Sequence, residues 1–178
     1  MTGVLKRRNI LLIAVGVVLV DQLSKAVASQ LLSAGTIDPL IPGLLSLQLV
    51  HNTGAAFSLF TGFTNLLGVL SLAVSVGVTV WICRHRVVPI WQALALAFLL
   101  GGTLGNGIDR WRLGYVVDFL ALIPIDFPIF NGADVAINLA LLCFALDLWF
   151  NRRSADRDAA NRDAANRDAA NRDAAERE

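Results

Sequence analysis

Four long stretches of the chain carry almost no charge, and they limit its possible folds more than any other feature. The first opens with Asn9–Val20 and continues to about Leu32, and the next two are Leu66–Cys83 and Val87–Ile108. A fourth, Asn131–Phe150, holds charges only near its ends. A helix needs roughly 20 apolar residues to cross a hydrocarbon core of about 30 Å. The sequence therefore predicts an all-α membrane protein built on a bundle of four transmembrane helices.

The first stretch has an alternative interpretation as a cleaved secretory signal. It follows a basic run at positions 6–8, and Ala-Val-Ala stands at positions 26–28. Asp21 and Lys25, however, occupy the part of a signal that is normally neutral, and three further apolar stretches follow. We therefore expect this segment to be retained as a helix.

Basic residues flank the four stretches unequally, which predicts their orientation. With the N-terminus inside, the inner flanks hold seven of them: Lys6, Arg7, Arg8, Arg84, Arg86, Arg152 and Arg153. The outer flanks hold three: Lys25, Arg110 and Arg112. Because loops rich in Lys and Arg stay in the cytoplasm, we expect both termini there. The loops at about 33–65 and 109–130 would then face outward.

These two outer loops contain strand-like segments. Leucines at 45, 47 and 49 alternate with other residues after turn signals that include Pro42-Gly43, and Tyr115–Phe119 has β-forming residues. Long loops with such content often carry function. We predict a small β subdomain on the outer (periplasmic) face of the bundle.

The segment 151–178 differs in kind from the membrane domain at 1–150. Arg-Asp-Ala-Ala recurs at 157, 162, 167 and 172, and pairs such as Asp158 and Arg162 are four residues apart. That spacing supports a helix, but the repeat has no apolar face. We predict a solvated cytoplasmic tail that does not take part in function.

Several classes of function lack their usual residues. The chain has no basic patch suited to nucleic acid. His51 and His85 have no partners at metal-ligand spacing, and Cys83 and Cys143 lie within apolar stretches, as buried small hydrophobes do. We therefore expect no metal and no cofactor, and we expect the protein to be a monomer.

Polar residues from separate stretches of chain are predicted at the same outer surface. They are Asp21, Lys25, Asn52, Asn106, Arg110, Asp118, Asn131 and Asp134. Taken singly, Asp21 and Lys25 fit a salt bridge, and Asn131 with Asp134 fits a helix cap. Polar groups in membrane spans are costly, however, and independent structural charges have no need to converge. One polar site explains them together.

The chemistry available to such a site is narrow. No Ser–His or Cys–His pair is evident, which leaves a pair of carboxylates. Two carboxyls held close share a proton, so one can activate water while the other polarises a carbonyl. This pattern indicates an aspartic protease.

Five sequence blocks also resemble a known family, the bacterial lipoprotein signal peptidases (signal peptidase II). The blocks, in order, are Asp21-Gln-Leu-Ser-Lys25, Asn52-Thr-Gly-Ala-Ala-Phe57, Gly101-Gly-Thr-Leu-Gly-Asn106-Gly-Ile-Asp-Arg110, Val116-Val-Asp118-Phe119 and Phe130-Asn131-Gly-Ala-Asp134. Together they cover the chain from about 8 to 150. The repeated tail departs from the family's pattern.

The resemblance implies a role for each matching position. It makes Asp118 and Asp134 the catalytic pair, and its other functional positions match Asp21, Lys25, Asn52, Gly54, Asn106, Arg110 and Asn131. It further implies a bacterial inner-membrane enzyme that works among membrane lipids. Its substrates would be prolipoproteins, cut just before a cysteine that bears a diacylglyceryl group.

Two other classes of function remain as alternatives. A transporter or proton pathway also uses intramembrane carboxylates, but the polar residues gather at one face and no inverted repeat is evident. A non-catalytic assembly protein or chaperone is the second alternative. Loss of lipoprotein processing in an Asp→Asn variant that still folds would separate all three.

Overall fold

A computed structural model of the chain describes residues 3–54 and 62–175, with side chains described as far as Arg153. The described part contains four long helices: α1 (Arg7–Leu31), α2 (Thr64–Arg84), α3 (Ile90–Leu113) and α4 (Gly132–Ala175). It also contains five short strands: β1 (Val4–Lys6), β2 (Asp38–Ile41), β3 (Leu45–Asn52), β4 (Val87–Pro89) and β5 (Val116–Leu122). The residues Ala55-Ala56-Phe57 of the second sequence block lie outside the described residues.

Three helices in the described part of the chain are long and apolar enough to cross a membrane. They are α1, α2 and the Gly132–Arg153 portion of α4. The third predicted span, α3, does not reach the same apolar character, because polar residues such as Asn106 and Arg110 occupy its last turns. It is also the central helix, packed against each of the other three. Three of the four expected spans are thus supported by length and composition.

Glycines on α3 allow its neighbours to approach closely, as the sequence predicts. A Cβ atom at Gly101 would lie 2.6 Å from the Cβ of Val17 on α1. A Cβ at Gly102 would lie 2.5 Å from the carbonyl oxygen of Ala133 on α4. Both distances are too short for real atoms, so the close packing of α3 on α1 and α4 requires glycine at these two positions.

The predicted β subdomain is present as a three-stranded antiparallel sheet in the order β2-β3-β5. Gly43, with a φ of 74°, lies in the turn between β2 and β3, where its lack of a Cβ removes the strain of a left-handed conformation. In the pairing of β3 with β5, Val50 is opposite Asp118 and Asn52 is opposite Val116. This register brings Asn52, from the loop between α1 and α2, beside Asp118, from the loop between α3 and α4.

A second, two-stranded sheet at the other end of the bundle was not predicted. β1 pairs antiparallel with β4, so that Leu5 is opposite Val88. The third apolar stretch opens at Val87, but its first three residues form β4 and the helix α3 begins at Ile90. Strands of three residues are too short to show alternation, and their pairing joins parts of the chain that are distant in sequence.

The apolar core lies near this two-stranded sheet. Its buried members come from α1, α2, β4 and α3: Ile10, Ala14, Ile82, Val88, Ala93, Ala97 and Leu100. Large apolar side chains elsewhere on the helices face outward, including Leu12, Val69 and Leu141. Such outward faces suit a lipid environment, whereas a soluble bundle would cover them with charge.

The start of the second long loop differs from the expected position. α3 continues to Leu113 and ends at Gly114, whose φ is 79°, so the second loop begins about five residues later than position 109. Asp109 and Arg110 are therefore helical residues. The backbone of α4 runs without a break to Ala175, in agreement with a helical tail. The Asp158–Arg162 pair lies beyond the described side chains and stays a prediction.

Candidate active site

The structure brings all the predicted site residues to one end of the bundle. There the last turns of α1 and α3 meet the first turn of α4 and the three-stranded sheet. The residues are Asp21, Lys25, Asn52, Gly54, Asn106, Arg110, Asp118, Asn131 and Asp134. Their hydrogen bonds join them into one network.

Asp118 is a buried carboxylate on β5, only 2% exposed. Asn52 Nδ2 donates a hydrogen bond to its Oδ2 at 2.8 Å, and Asn131 Nδ2 donates to its Oδ1 at 2.6 Å. Burial raises the pKa of Asp118 to about 6, and the nearby charge of Asp134 adds to that rise. The two asparagine hydrogen bonds act in the opposite direction without cancelling it. This carboxyl therefore keeps its proton to a higher pH than an ordinary aspartate does.

Asp134 lies in the first turn of α4 and takes part in a reciprocal helix cap. Asn131 Oδ1 accepts from the backbone N–H of Asp134, and Asp134 Oδ2 accepts from the backbone N–H of Asn131, each at 3.1 Å. The predicted capping role of Asn131 is confirmed. Asp134 Oδ1 also accepts from Asn106 Nδ2 at 2.8 Å. Burial disfavours the charged form of this carboxylate, and the helix N-terminus and these donors oppose that effect.

Asn131 connects the two carboxylates directly. Its side chain is fully buried and donates from Nδ2 to Asp118 as well as to Asn106 Oδ1, the latter at 3.1 Å. Through the helix cap the same residue holds Asp134. One asparagine thus fixes the position of Asp118 relative to Asp134, although they belong to different elements.

Lys25 supplies the positive charge beneath this pair. Its Nζ lies 2.9 Å from Asp21 Oδ2 and 2.9 Å from Asp109 Oδ2, and it donates to Asn106 Oδ1 at 2.8 Å. The predicted salt bridge between Asp21 and Lys25 is confirmed. Because Lys25 occupies the oxygen of the Asn106 amide, it directs the nitrogen of that amide toward Asp134.

Two members of the network were missed from the sequence, Asp109 and Gln22. Asp109 Oδ2 accepts from the backbone N–H of Val117 at 3.1 Å, and its Oδ1 accepts from Gln22 Nε2 at 2.9 Å. It therefore anchors β5 to α3 one residue before Asp118. The sequence could have pointed to Asp109, because an acidic residue only three positions after Asn106 at the end of an apolar stretch requires a partner.

Arg110 links the network to the loop between α1 and α2. Its Nη2 donates to the carbonyl of Gly54 at 3.0 Å, and its Nη1 donates to the carbonyl of Asn106 at 3.4 Å. Among the described residues, its guanidinium thus bridges two backbone carbonyls. Gly54 is held in turn by its N–H, which donates to Asn52 Oδ1 at 2.8 Å.

Both carboxylates line one groove of about 950 Å³. Its polar wall also includes Asn52, Asn106 and Arg110. The remaining wall is largely apolar and runs from the segment before α4 along that helix: Phe127, Ile129, Phe130, Val135, Leu139 and Leu142. Groups of three or more metal-ligating side chains do not occur among the described residues. The groove thus combines a paired-carboxylate end with a long apolar wall.

Comparison with known proteins agrees with this arrangement. The family profile described as "Signal peptidase (SPase) II" matches residues 13–150, which include every residue of the predicted site. The chain belongs to the signal peptidase II family. It is therefore a protease, and its apolar helices make it a membrane protein.

Two relatives are similar over nearly their whole length. The "Lipoprotein signal peptidase" of Parasynechococcus marenigrum (strain WH8102) is 64% identical over 156 residues, covering 87% of this chain and 98% of the relative. The protein of the same name from Synechococcus sp. (strain RCC307) is 57% identical over 143 residues, covering 80% and 95%.

A solved structure shares the fold. It is titled "Bacterial membrane enzyme structure by the in meso method at 2.3 A resolution" and superposes with a TM-score of 0.77 at 27% identity. The match covers 85% of this chain and 94% of that one. The fold prediction of a mostly helical membrane enzyme with small sheets is confirmed.

Proposed function

We propose that this protease is an aspartic endopeptidase that removes signal peptides from diacylglyceryl-modified prolipoproteins, cutting just before the lipidated cysteine. The observation that carries the proposal is the pairing of Asp118 and Asp134 through Asn131 at the end of one groove. The names of the relatives support lipoprotein substrates. The remaining site residues would hold the pair in place.

The two carboxyls have different surroundings, and that difference assigns their roles. Asp134, at the N-terminus of α4 and bonded by Asn106, acts as the ionised base that takes a proton from water. Asp118, whose pKa is raised to about 6, holds the proton and hydrogen-bonds the scissile carbonyl oxygen. Water oxygen then bonds to the carbonyl carbon, and the carbonyl oxygen takes the proton of Asp118. When the C–N bond breaks, the amine leaves with the proton that Asp134 had accepted, and a hydroxyl of the tetrahedral intermediate returns its proton to Asp118 as the carbonyl re-forms.

The rest of the groove suits a substrate that stays in the membrane. Its apolar wall extends from Asp134 past Val135 and Leu139 to Leu142, over two turns of α4. Acyl chains or an apolar signal helix can lie against such a wall without exposing it to water. The scissile bond would then meet the carboxylates at the membrane surface.

A transporter or a chaperone fits these observations less well. Buried polar groups are concentrated at the aspartate end, whereas the opposite end of the helices packs through the apolar core of Ile10, Ile82 and Leu100. A proton or solute path would need polar groups at both ends. A chaperone has no use for two buried carboxylates that share one asparagine.

The cleavage assay compares a diacylglyceryl-modified prolipoprotein with the same protein lacking the lipid. We expect the chain, in detergent micelles, to cut only the lipidated form.

Asp118→Asn and Asp134→Asn should each lower turnover by at least about 10²–10⁴-fold. Substrate binding should be retained, because the amide keeps the shape of the carboxyl. The double variant should be scarcely worse than either single one, since the pair acts as a unit. Near-full turnover by the folded Asp118→Asn protein would eliminate the aspartic mechanism.

We also propose that the chain spans the bacterial inner membrane four times, with both termini in the cytoplasm and the aspartates at the outer face. Seven basic residues at one set of flanks against three at the other support this orientation. An outward reporter fused after Asn65 or Phe119 should be active, and one fused after Arg84 or Arg153 should not. The reverse pattern would place the aspartates in the cytoplasm and contradict processing of exported lipoproteins.

A further inference from the structure

The end of the bundle opposite the aspartates holds a second cavity, of about 480 Å³. Its wall consists of Lys6, Arg7, Arg8, Arg86 and Val87, and we call it the basic cleft. Pockets that bind small molecules have volumes of about 300–1,000 Å³. Arg7 and Asp21 are separated by 14 residues of α1, which is about 21 Å along the helix. The basic cleft is therefore separate from the groove and has no part in the proposed chemistry.

The fold holds the basic cleft in a fixed shape. The pairing of β1 with β4 places Lys6 opposite Val87. The backbone N–H of Arg7 donates to the carbonyl of Arg86 at 3.2 Å. The Arg7 side chain donates from Nη1 to the carbonyl of Cys83 at 3.2 Å, at the end of α2. Segments distant in sequence thus converge, and the backbone pairing brings their basic residues to one cavity.

None of the cations of the basic cleft forms an ion pair with an acidic residue among the described side chains. Both ion pairs found there involve Lys25, at the other end of the molecule. α1 also begins here, with no acid in its first turn and no side-chain hydrogen bond from Lys6 at its N-cap. A helix N-terminus carries a partial positive charge and suits an anion. Like charges that face one cavity repel one another, and an anion bound between them relieves the repulsion.

We propose that the basic cleft binds the phosphate group of an anionic glycerophospholipid. The planar guanidinium groups of Arg8 and Arg86 can each offer paired N–H donors to phosphate oxygens. Beside them, Val4 is 60% exposed and Val87 is 55% exposed, so apolar surface borders the charged wall. A lipid satisfies both features, with its headgroup in the basic cleft and its acyl chains along the apolar border, whereas free phosphate satisfies only the first. With the proposed topology, this lipid belongs to the cytoplasmic leaflet.

The test measures lipid retention by the purified full-length chain with native mass spectrometry in detergent. Equal amounts of phosphatidylglycerol and phosphatidylcholine are offered together, and thermal unfolding is followed with each lipid and with inorganic phosphate. The variant R8Q/R86Q removes two charges from the basic cleft. The control R84Q/R152Q removes two charges from the same end of the bundle, at residues that do not line the cavity.

We expect the natural chain to prefer phosphatidylglycerol by about tenfold or more, since each nearby basic residue favours an anionic headgroup. R8Q/R86Q should lose most of this preference, and R84Q/R152Q should keep it. Equal retention of both lipids by the natural chain would overturn the proposal. An equal loss in both variants would do so too, because it would mean that only summed surface charge matters. Stabilisation by inorganic phosphate as large as that by phosphatidylglycerol would overturn the assignment to a lipid.

Two further measurements keep the proposal testable if R8Q/R86Q does not fold. R8K/R86K keeps the charge but loses the paired donors, and we expect it to retain less phosphatidylglycerol than the natural chain. Retention by the natural chain should also weaken as sodium chloride is raised. Cleavage of lipidated substrate in detergent should be unchanged in all these variants, because the residues lie far from the aspartates. Intact cleavage with no lipid preference would reject the basic cleft and leave the proposed protease function standing.

Discussion

The two ends of the helical bundle are stabilised by different interactions. At the end near the two-stranded sheet, Ile10 and Ile82 are completely buried and the core is apolar. At the aspartate end, the most deeply buried groups include Asp21, Lys25 and Asp109, which are 1%, 3% and 2% exposed. The same helices, α1 and α3, contribute to both ends.

This contrast separates an apolar end, which stabilises the fold, from a polar end, which fixes the geometry of the aspartates. Burial of an apolar side chain stabilises a protein by about 1.5–3 kcal/mol without requiring a defined partner. A buried ion pair often stabilises no more than well-packed apolar residues would, but removal of one member leaves the other charge unpaired. The aspartate end therefore tolerates less change, and its polar groups fix geometry that an apolar core would not provide.

The first prediction contrasts one residue from each end. Lys25→Met leaves Asp21 and Asp109 facing each other without a cation, so we expect a loss of about 3–5 kcal/mol in the free energy of unfolding. Ile82→Val, at the apolar end, should cost about 0.5–1.5 kcal/mol and leave cleavage intact. Unfolding in detergent micelles measures both. Equal losses would show that the two ends do not differ in the way described.

The second prediction concerns the glycines that let α3 approach its neighbours. Gly102→Ala would place a methyl group 2.5 Å from the carbonyl oxygen of Ala133, next to Asp134, and we expect a loss of about 1–3 kcal/mol. Gly77→Ala on α2 is the matched control, because nothing lies within 4 Å of its added methyl group. That variant should be neutral or slightly stabilising, as alanine favours helices. If both variants were equally stable, close packing at Gly102 would not matter.

The third prediction follows from the raised pKa of Asp118. An acid with a raised pKa stabilises the folded protein below its unfolded pKa of 3.8, and this contribution is lost as the pH rises through about 6. Asp118→Asn removes the titration, so its stability relative to the natural chain should improve by about 1.4 kcal/mol between pH 5 and pH 8. Thermal unfolding of both proteins at several pH values tests this. A difference that did not change with pH would mean that the pKa of Asp118 is near normal.

The smallest expected effect is that of the tail. Deletion of Asp156–Glu178 removes a charged repeat at the far end of α4 from Asp134, so cleavage and unfolding should both change little. The cleavage assay with lipidated substrate, run on membrane-inserted protein, measures this directly. A large drop in turnover would show that the tail communicates with the site.

Much of the site could be predicted because polar residues are conspicuous in apolar sequence. The spacing of Asn131 and Asp134 predicts a helix cap, and the structure contains it. The spacing of Asp21 and Lys25 predicts an ion pair on one helix face, which is also present. Asp109 was not assigned to the site, because its partners Val117 and Gln22 are reached only through folding. The local sequence shows that burying such a charged residue is costly, but it does not show which residues it contacts.

The sequence by itself determined the apolar helices, two of the three strands of the β2-β3-β5 sheet and the set of polar residues that needed partners, since these depend on composition and short-range periodicity. Only the tertiary structure decided which polar groups meet. Lys25 lies between Asp21 and Asp109, and Asn131 joins Asp118 to Asp134. The short pairing of β1 with β4, which creates the basic cleft, was likewise decided by the fold. Such contacts join residues far apart in the chain, and their geometry depends on how closely the glycines of α3 let the helices approach.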